Sequence, residues 1–174
     1  MTEDGRVMYQ RWEYADVPHA HARLTFLMNP DGTNQSELYG SGSYWPNSVF
    51  YARPLPGEGS KFVGVVGGHH EQNRVGDLVI FDPMKGRKEA SGAVQRIPGW
   101  GKKVEPIACD LPIAQNWPKF LHPFPVSETT FLTSCKRSAS APWEICLVDV
   151  FDNIVPIVSE PGVAALEPIP LRET

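Results

Sequence analysis

Two stretches of this chain repeat each other at a fixed offset, and that repetition limits the folds open to it more than any single motif does. Residues 53–56 read Arg53-Pro54-Leu55-Pro56 and residues 122–125 read His122-Pro123-Phe124-Pro125. Eight residues beyond the first proline of each, a phenylalanine opens an apolar run, Phe62-Val63-Gly64-Val65-Val66 in one copy and Phe131-Leu132-Thr133-Ser134-Cys135 in the other. The offset is 69 residues at both points, and a Trp-Pro pair precedes each tetrapeptide, Trp45-Pro46 and Trp117-Pro118, with spacings that differ by three residues. A unit that cannot bury its apolar surface alone does so against its neighbours, which is why tandem repetition of this length signals a repeat architecture.

Each copy continues with a second short apolar run, an acidic or amide residue, and a turn. Leu24-Thr25-Phe26-Leu27-Met28-Asn29 leads into Pro30-Asp31-Gly32, Leu78-Val79-Ile80-Phe81-Asp82 into Pro83 to Gly86, and Ile145-Cys146-Leu147-Val148-Asp149 into Asp152-Asn153. Asp, Asn and Gly tolerate positive φ and bond their own backbone, so each run reads as a strand entering a hairpin. Arg6 to Tyr14 alternates polar and apolar residues at strand period and fills the slot of the Phe62 and Phe131 runs. Three copies result, the first without its front.

Short antiparallel strands in units of 50–70 residues, with no amphipathic helix among them, predict an all-β partial β-propeller of two to three four-stranded blades. Its expected division is 1–42 for an incomplete first blade, 43–110 for a second with a long loop over 91–116, 111–165 for a third, and 166–174 for the start of another. Leu166-Glu167-Pro168-Ile169-Pro170 echoes Val104-Glu105-Pro106-Ile107, which carries that last assignment. A β-sandwich is the structural alternative, since it also uses short strands and Gly/Pro turns. It leaves the paired Pro-x-Pro offsets unexplained. A propeller closes with roughly 4–8 blades, so the sequence reads as a segment whose outer sheet edges closure would hide.

Composition narrows the function classes. Hydrophobic residues are 41% and charged residues 21% of 174, enough apolar material for a core, and the 15 glycines and 17 prolines are spread along the chain as turns. A net charge of −4 and a single adjacent lysine pair, Lys102-Lys103, argue against a nucleic-acid partner. No window nears 18 apolar residues, and the acidic start Met1-Thr2-Glu3-Asp4-Gly5 has no apolar stretch behind it, so neither a membrane span nor a signal peptide is expected. Cys109, Cys135 and Cys146 lack CxxC or CxxCH spacing. They read as buried small side chains, with a Cys135 to Cys146 disulfide between neighbouring strands as the second reading.

Histidine is the residue type most worth following. His19 and His21 would share one face of a strand, though Asp16 to His21 reads as a loop. His69-His70 follow Gly67-Gly68 at a strand end, where one of the two could face a central channel, and His122 occupies the repeat position of Arg53. His69, His70 and His122 are therefore the candidate metal ligands; loop histidines bonded to backbone are the plainer reading. Asp77, Asp82, Asp149 and Asp152 could offer a glycosidase pair, which needs two carboxyls about 5–9 Å apart, but most sit at turns, where capping is the ordinary role. Asn29 to Asn34 has its glycine at the fourth position, not the sixth of a calcium loop. The run Ser43 to Pro54 reads as inter-blade packing or as an aromatic binding surface. No nucleophile elbow, phosphate loop or zinc signature is present.

Several motifs together carry a family resemblance. Asn29 to Gln35, Ser43-Tyr44-Trp45-Pro46-Asn47-Ser48, Gly68-His69-His70, Gly76 to Pro83, Arg96-Ile97-Pro98-Gly99, Lys103 to Ile107, Trp117 to Pro123 and Leu147 to Asn153 resemble large planctomycete-type proteins related to the hydrazine synthase alpha subunit. That resemblance implies a secreted, TolB- or WD40-like propeller joined to c-type haem modules, a periplasmic location, and cytochrome c-type domains and further blades as partners. This chain has no CxxCH and so no means of covalent c-type haem attachment. The expectation is a non-catalytic scaffold and interaction module; the alternatives are a segment of a metal- or haem-dependent redox enzyme, or a carbohydrate-binding propeller displaying Trp45 or Trp100.

Overall fold

The computed structural model of the chain describes residues 1–12, 23–57, 59–68, 74–108 and 115–171. Among them are eleven strands and no helix: β1 Val7–Trp12, β2 Arg23–Met28, β3 Ser36–Tyr39, β4 Ser48–Pro54, β5 Phe62–Gly67, β6 Asp77–Phe81, β7 Ala93–Ile97, β8 Lys119–Pro125, β9 Thr130–Lys136, β10 Glu144–Asp149 and β11 Ile154–Val158. Among the described residues no helix is long and apolar enough to cross a membrane.

The strands form antiparallel meanders. A seven-stranded sheet runs β1-β2-β4-β5-β6-β7, with β3 also on β2, and a four-stranded sheet runs β11-β10-β9-β8. In the first sheet, β2 and β4 join in parallel through one pair, Arg23 with Ser48. That single pair divides it into a three-stranded part, β1 to β3, and a four-stranded part, β4 to β7.

Apolar alternation along the central part explains how the layers stack. Successive residues of a strand point to opposite faces. Val63, Val65, Leu78 and Ile80 pack with Phe120, Phe131, Cys135, Cys146 and Val148 of the four-stranded sheet. Their neighbours Phe62, Val66, Val79 and Phe81 pack the other way, with Leu27, Leu38, Tyr39 and Trp45. The β4–β7 meander is therefore buried on both faces, so β5 reads as an unbroken apolar run with all six residues buried. Two sheets of one sandwich would leave each an outer face; here three layers bury two cores.

Close approach within the sheet needs glycine at Gly76, since a Cβ there would fall 1.9 Å from the carbonyl oxygen of Val66 on β5. The Gly76 backbone also exchanges hydrogen bonds with Phe120 of β8, 3.0 and 3.3 Å, which ties the two sheets together just ahead of β6.

The repeat survives, with corrections to its alignment. β4 and β8 carry the same bulge against the strands that follow them, between Phe50 and Arg53 and between Leu121 and Phe124. Each bulge holds a non-glycine residue at positive φ, Tyr51 at 53° and His122 at 48°. His122 thus corresponds to Tyr51, not to Arg53, because the β8–β9 turn is two residues shorter than the β4–β5 connection. Trp45-Pro46 and Trp117-Pro118 are both cis. The expected long loop 91–116 contains β7, whose Ala93-Val94-Gln95-Arg96-Ile97 alternation sits between turn residues. Residues 159–171 form no strand; Ala165 donates to the Trp143 carbonyl at 3.0 Å and Glu167 to Ser134 Oγ at 3.0 Å. Cys135 and Cys146 are free and buried, so the disulfide reading does not hold. Their places on β9 and β10 are two residue pairs out of register, Cys135 facing Glu144 and Cys146 facing Thr133.

Candidate functional site

The seam between the two four-stranded meanders gathers most of the polar side chains that could do more than cap a turn. At one end of it, the β4 and β8 bulges turn Tyr51 and His122 toward each other, with ring centroids 4.3 Å apart and tilted by 59°. Arg74 and Glu167, at φ 60° and 57°, complete a set of four non-glycine residues in the left-handed region at one place. Such backbone costs roughly 1–3 kcal/mol per residue and persists where surrounding packing fixes it.

A cavity of about 580 Å³ opens onto Tyr51, His122 and Glu167, bordered also by Met1, Met8, Arg53, Leu55 and Phe124. The Arg53 guanidinium lies 5.2 Å from the centre of the Phe124 ring. Burial lowers the His122 pKa; Glu167 opposes the shift and Arg53 adds to it. Burial raises the Tyr51 hydroxyl, opposed by the charge and hydrogen bond of Arg74. His122 Nδ1 is buried and has no hydrogen-bond partner among the described residues.

The seam's other end is a polar cleft. Asp77 heads β6 and faces Arg96 of β7 at 3.6 Å, with Asn116 hydrogen-bonded to it. Burial raises the Asp77 carboxyl above the usual range, while Arg96 and Asn116 pull the other way. Trp100, Gln115 and Trp117 line the same cleft, of about 240 Å³, and the Lys119 ammonium stands 4.6 Å from the Trp117 ring centre.

Carboxylates also tie each sheet to the segment that enters it. Asp152, in the β10–β11 hairpin, accepts the Gly99 and Trp100 backbone N–H groups at 2.8 and 2.7 Å, just beyond β7. Glu89, in the β6–β7 hairpin, accepts Tyr44 and Trp45 at 2.9 and 3.2 Å, just before β4. Both clasping residues have positive φ, 67° and 49°. The remaining carboxylates behave as the turn reading expects: Asp82 accepts Met84 N–H at 3.0 Å, Asp149 accepts Phe151 and Asn153, and Asp31 accepts Thr33.

The candidate ligands are therefore only partly placed. His122 lies in the cavity wall; His69 and His70, with His19, His21 and Cys109, fall outside the described residues. Among the described residues no group of three His, Cys, Asp or Glu side chains could hold a metal. Asp77 is the one member of the carboxylate quartet in a cleft. Trp45 is 4% exposed and belongs to the core, which removes it as a binding surface, whereas Trp100 is 71% exposed. The Tyr51–His122 pairing and the partners of the two carboxylate clasps leave no local pattern in the sequence, because they depend on bulge positions and on contacts across 44 to 53 residues. The Cys135 thiol is pushed up, first by its hydrogen bond with Cys146 and then by burial, which suits packing and not nucleophilic attack. Compared with family models, with curated proteins and with solved structures, the chain finds no match in any of the three.

Proposed function

We propose that the chain is a segment of a β-propeller that serves as a scaffold, its layered meanders continuing into further blades. The observation that carries this reading is the outer face of the last sheet. Leu132, Leu147 and Val155 are directly paired across β9, β10 and β11 and so share a face, the one turned away from the core of Cys146 and Val148. Leu147, Val155 and Val158 are 36%, 54% and 49% exposed. In the meander before it, the corresponding face is covered by the next sheet. An apolar sheet face left in water is the mark of a missing neighbour.

The resemblance to proteins related to the hydrazine synthase alpha subunit supports the same reading and suggests a periplasmic setting with haem-bearing domains as partners. Hydrazine chemistry is no part of the proposal, because the chain has no CxxCH. Light scattering after size exclusion tests it. The expected result is concentration-dependent self-association that Leu147→Lys with Val155→Lys abolishes; a strictly monomeric protein that binds no hydrophobic dye would count against the proposal.

A further inference from the structure

Trp100 is held in a way that a merely surface-exposed tryptophan does not require. Its indole is 71% exposed, its φ is 53°, and its backbone N–H is fixed by Asp152 from the neighbouring sheet at 2.7 Å. A large apolar ring is thus displayed in water on a turn locked from behind. Trp117, 38% exposed, borders the same cleft. Asp77, Arg96, Gln115 and Asn116 line that cleft as well.

We infer that this cleft binds a neutral sugar ring, with Trp100 as its platform. A pyranose presents a face of C–H bonds, which packs on a flat indole, and an edge of neighbouring hydroxyls, each both donor and acceptor. Carboxylate, guanidinium and primary amide groups are planar and two-pronged, so they bond adjacent hydroxyls in pairs. The cleft carries all three kinds in one wall. Asp77 faces Arg96 at 3.6 Å and the Lys119 ammonium stands 4.6 Å from the Trp117 ring centre, so the cleft offers both donors and an acceptor to neighbouring hydroxyls. Its volume, about 240 Å³, suits one ring with its neighbours extending into solvent past Trp100. A small cleft with an aromatic platform and a few convergent polar groups is an ordinary ligand-site design. This inference goes beyond the scaffold reading and stands or falls separately from it.

The test is an array of neutral oligosaccharides built on glucose, galactose, mannose and xylose, followed by calorimetric titration of the sugars that bind. Trp100→Ala should weaken binding by about tenfold or more, as loss of an aromatic anchor does, with an unchanged melting temperature because the removed ring is exposed. Trp100→Phe should restore much of the affinity, and Asn116→Ala should weaken binding while leaving Trp100 in place. A blank array overturns the inference, and so does binding that survives Trp100→Ala undiminished.

Discussion

Glu144 is 2% exposed at the head of β10, yet it is ionised against a partner, Arg137, which closes on it from the β9–β10 connection with two hydrogen bonds of 2.7 and 3.1 Å. A carboxylate out of water is tolerable only when a cation and directed donors replace its hydration. The Arg137 hydrogen bonds hold the Glu144 carboxyl below its ordinary 4.5, with a further lowering from Ser159. In the unfolded chain the group takes up its proton near the ordinary value, so between the two the unfolded state binds more protons and folding is favoured by raising pH. The contribution is complete above about pH 4.5 and disappears as pH falls through the lower, folded value. Glu144→Gln should therefore cost about 1–2 kcal/mol at neutral pH and flatten the acid limb of a denaturation series. An unchanged acid limb would show that the pair adds nothing to stability.

At the scale of the strand and hairpin, the two carboxylate clasps add to the backbone bonds, such as Gly76 with Phe120, that cross a layer boundary. Asp152 and Glu89 each receive two consecutive N–H groups that would otherwise lack acceptors, and Gln95 adds a bond of 2.7 Å to the Val150 carbonyl. Asp152→Ala should lower stability by about 1–3 kcal/mol, since hydrogen bonds to a charged acceptor are lost and two backbone donors are stranded. Thermal unfolding measures that loss; a melting temperature equal to the parent's would mean the clasp is dispensable. Strands are the part of the fold that could be read in advance, because alternation and turn residues are local: β2, β5, β6, β9 and β10 fall on the apolar runs, each with its turn. β7 lies in a polar stretch, and the Tyr51–His122 contact joins two equivalent bulges that the Pro-x-Pro offset misaligns, because the connection after β8 is two residues shorter than the one after β4. For the same reason His122, one of the three candidate ligands, lies beside Tyr51 in the cavity wall, whereas the sequence offset pairs it with Arg53. Trp100 was noticed as an aromatic, but only the hairpin of the next sheet shows why it stays displayed.

For the whole molecule, three layers bury two main apolar cores, and the outer face of the last sheet, with Leu147 and Val155, is open to water. The middle meander has Phe62 stacked on Phe81 at 4.8 Å on one side and Val63, Leu78 and Ile80 against Phe131 and Val148 on the other. Its strands can open only by undoing both cores, whereas β11, with a burial pattern of one half-buried and four exposed residues, can open by undoing little. Local opening free energies follow that difference in buried contacts. Amide hydrogen exchange resolved by residue, recorded at low and at high protein concentration, reads it directly. Dilute protein should show β5 and β6 exchanging slowest and β11 fastest, and concentration should add protection on β10 and β11 as their open face becomes covered. Equal protection of β5 and β11, with no response to concentration, would contradict a tandem stack that continues beyond its last sheet.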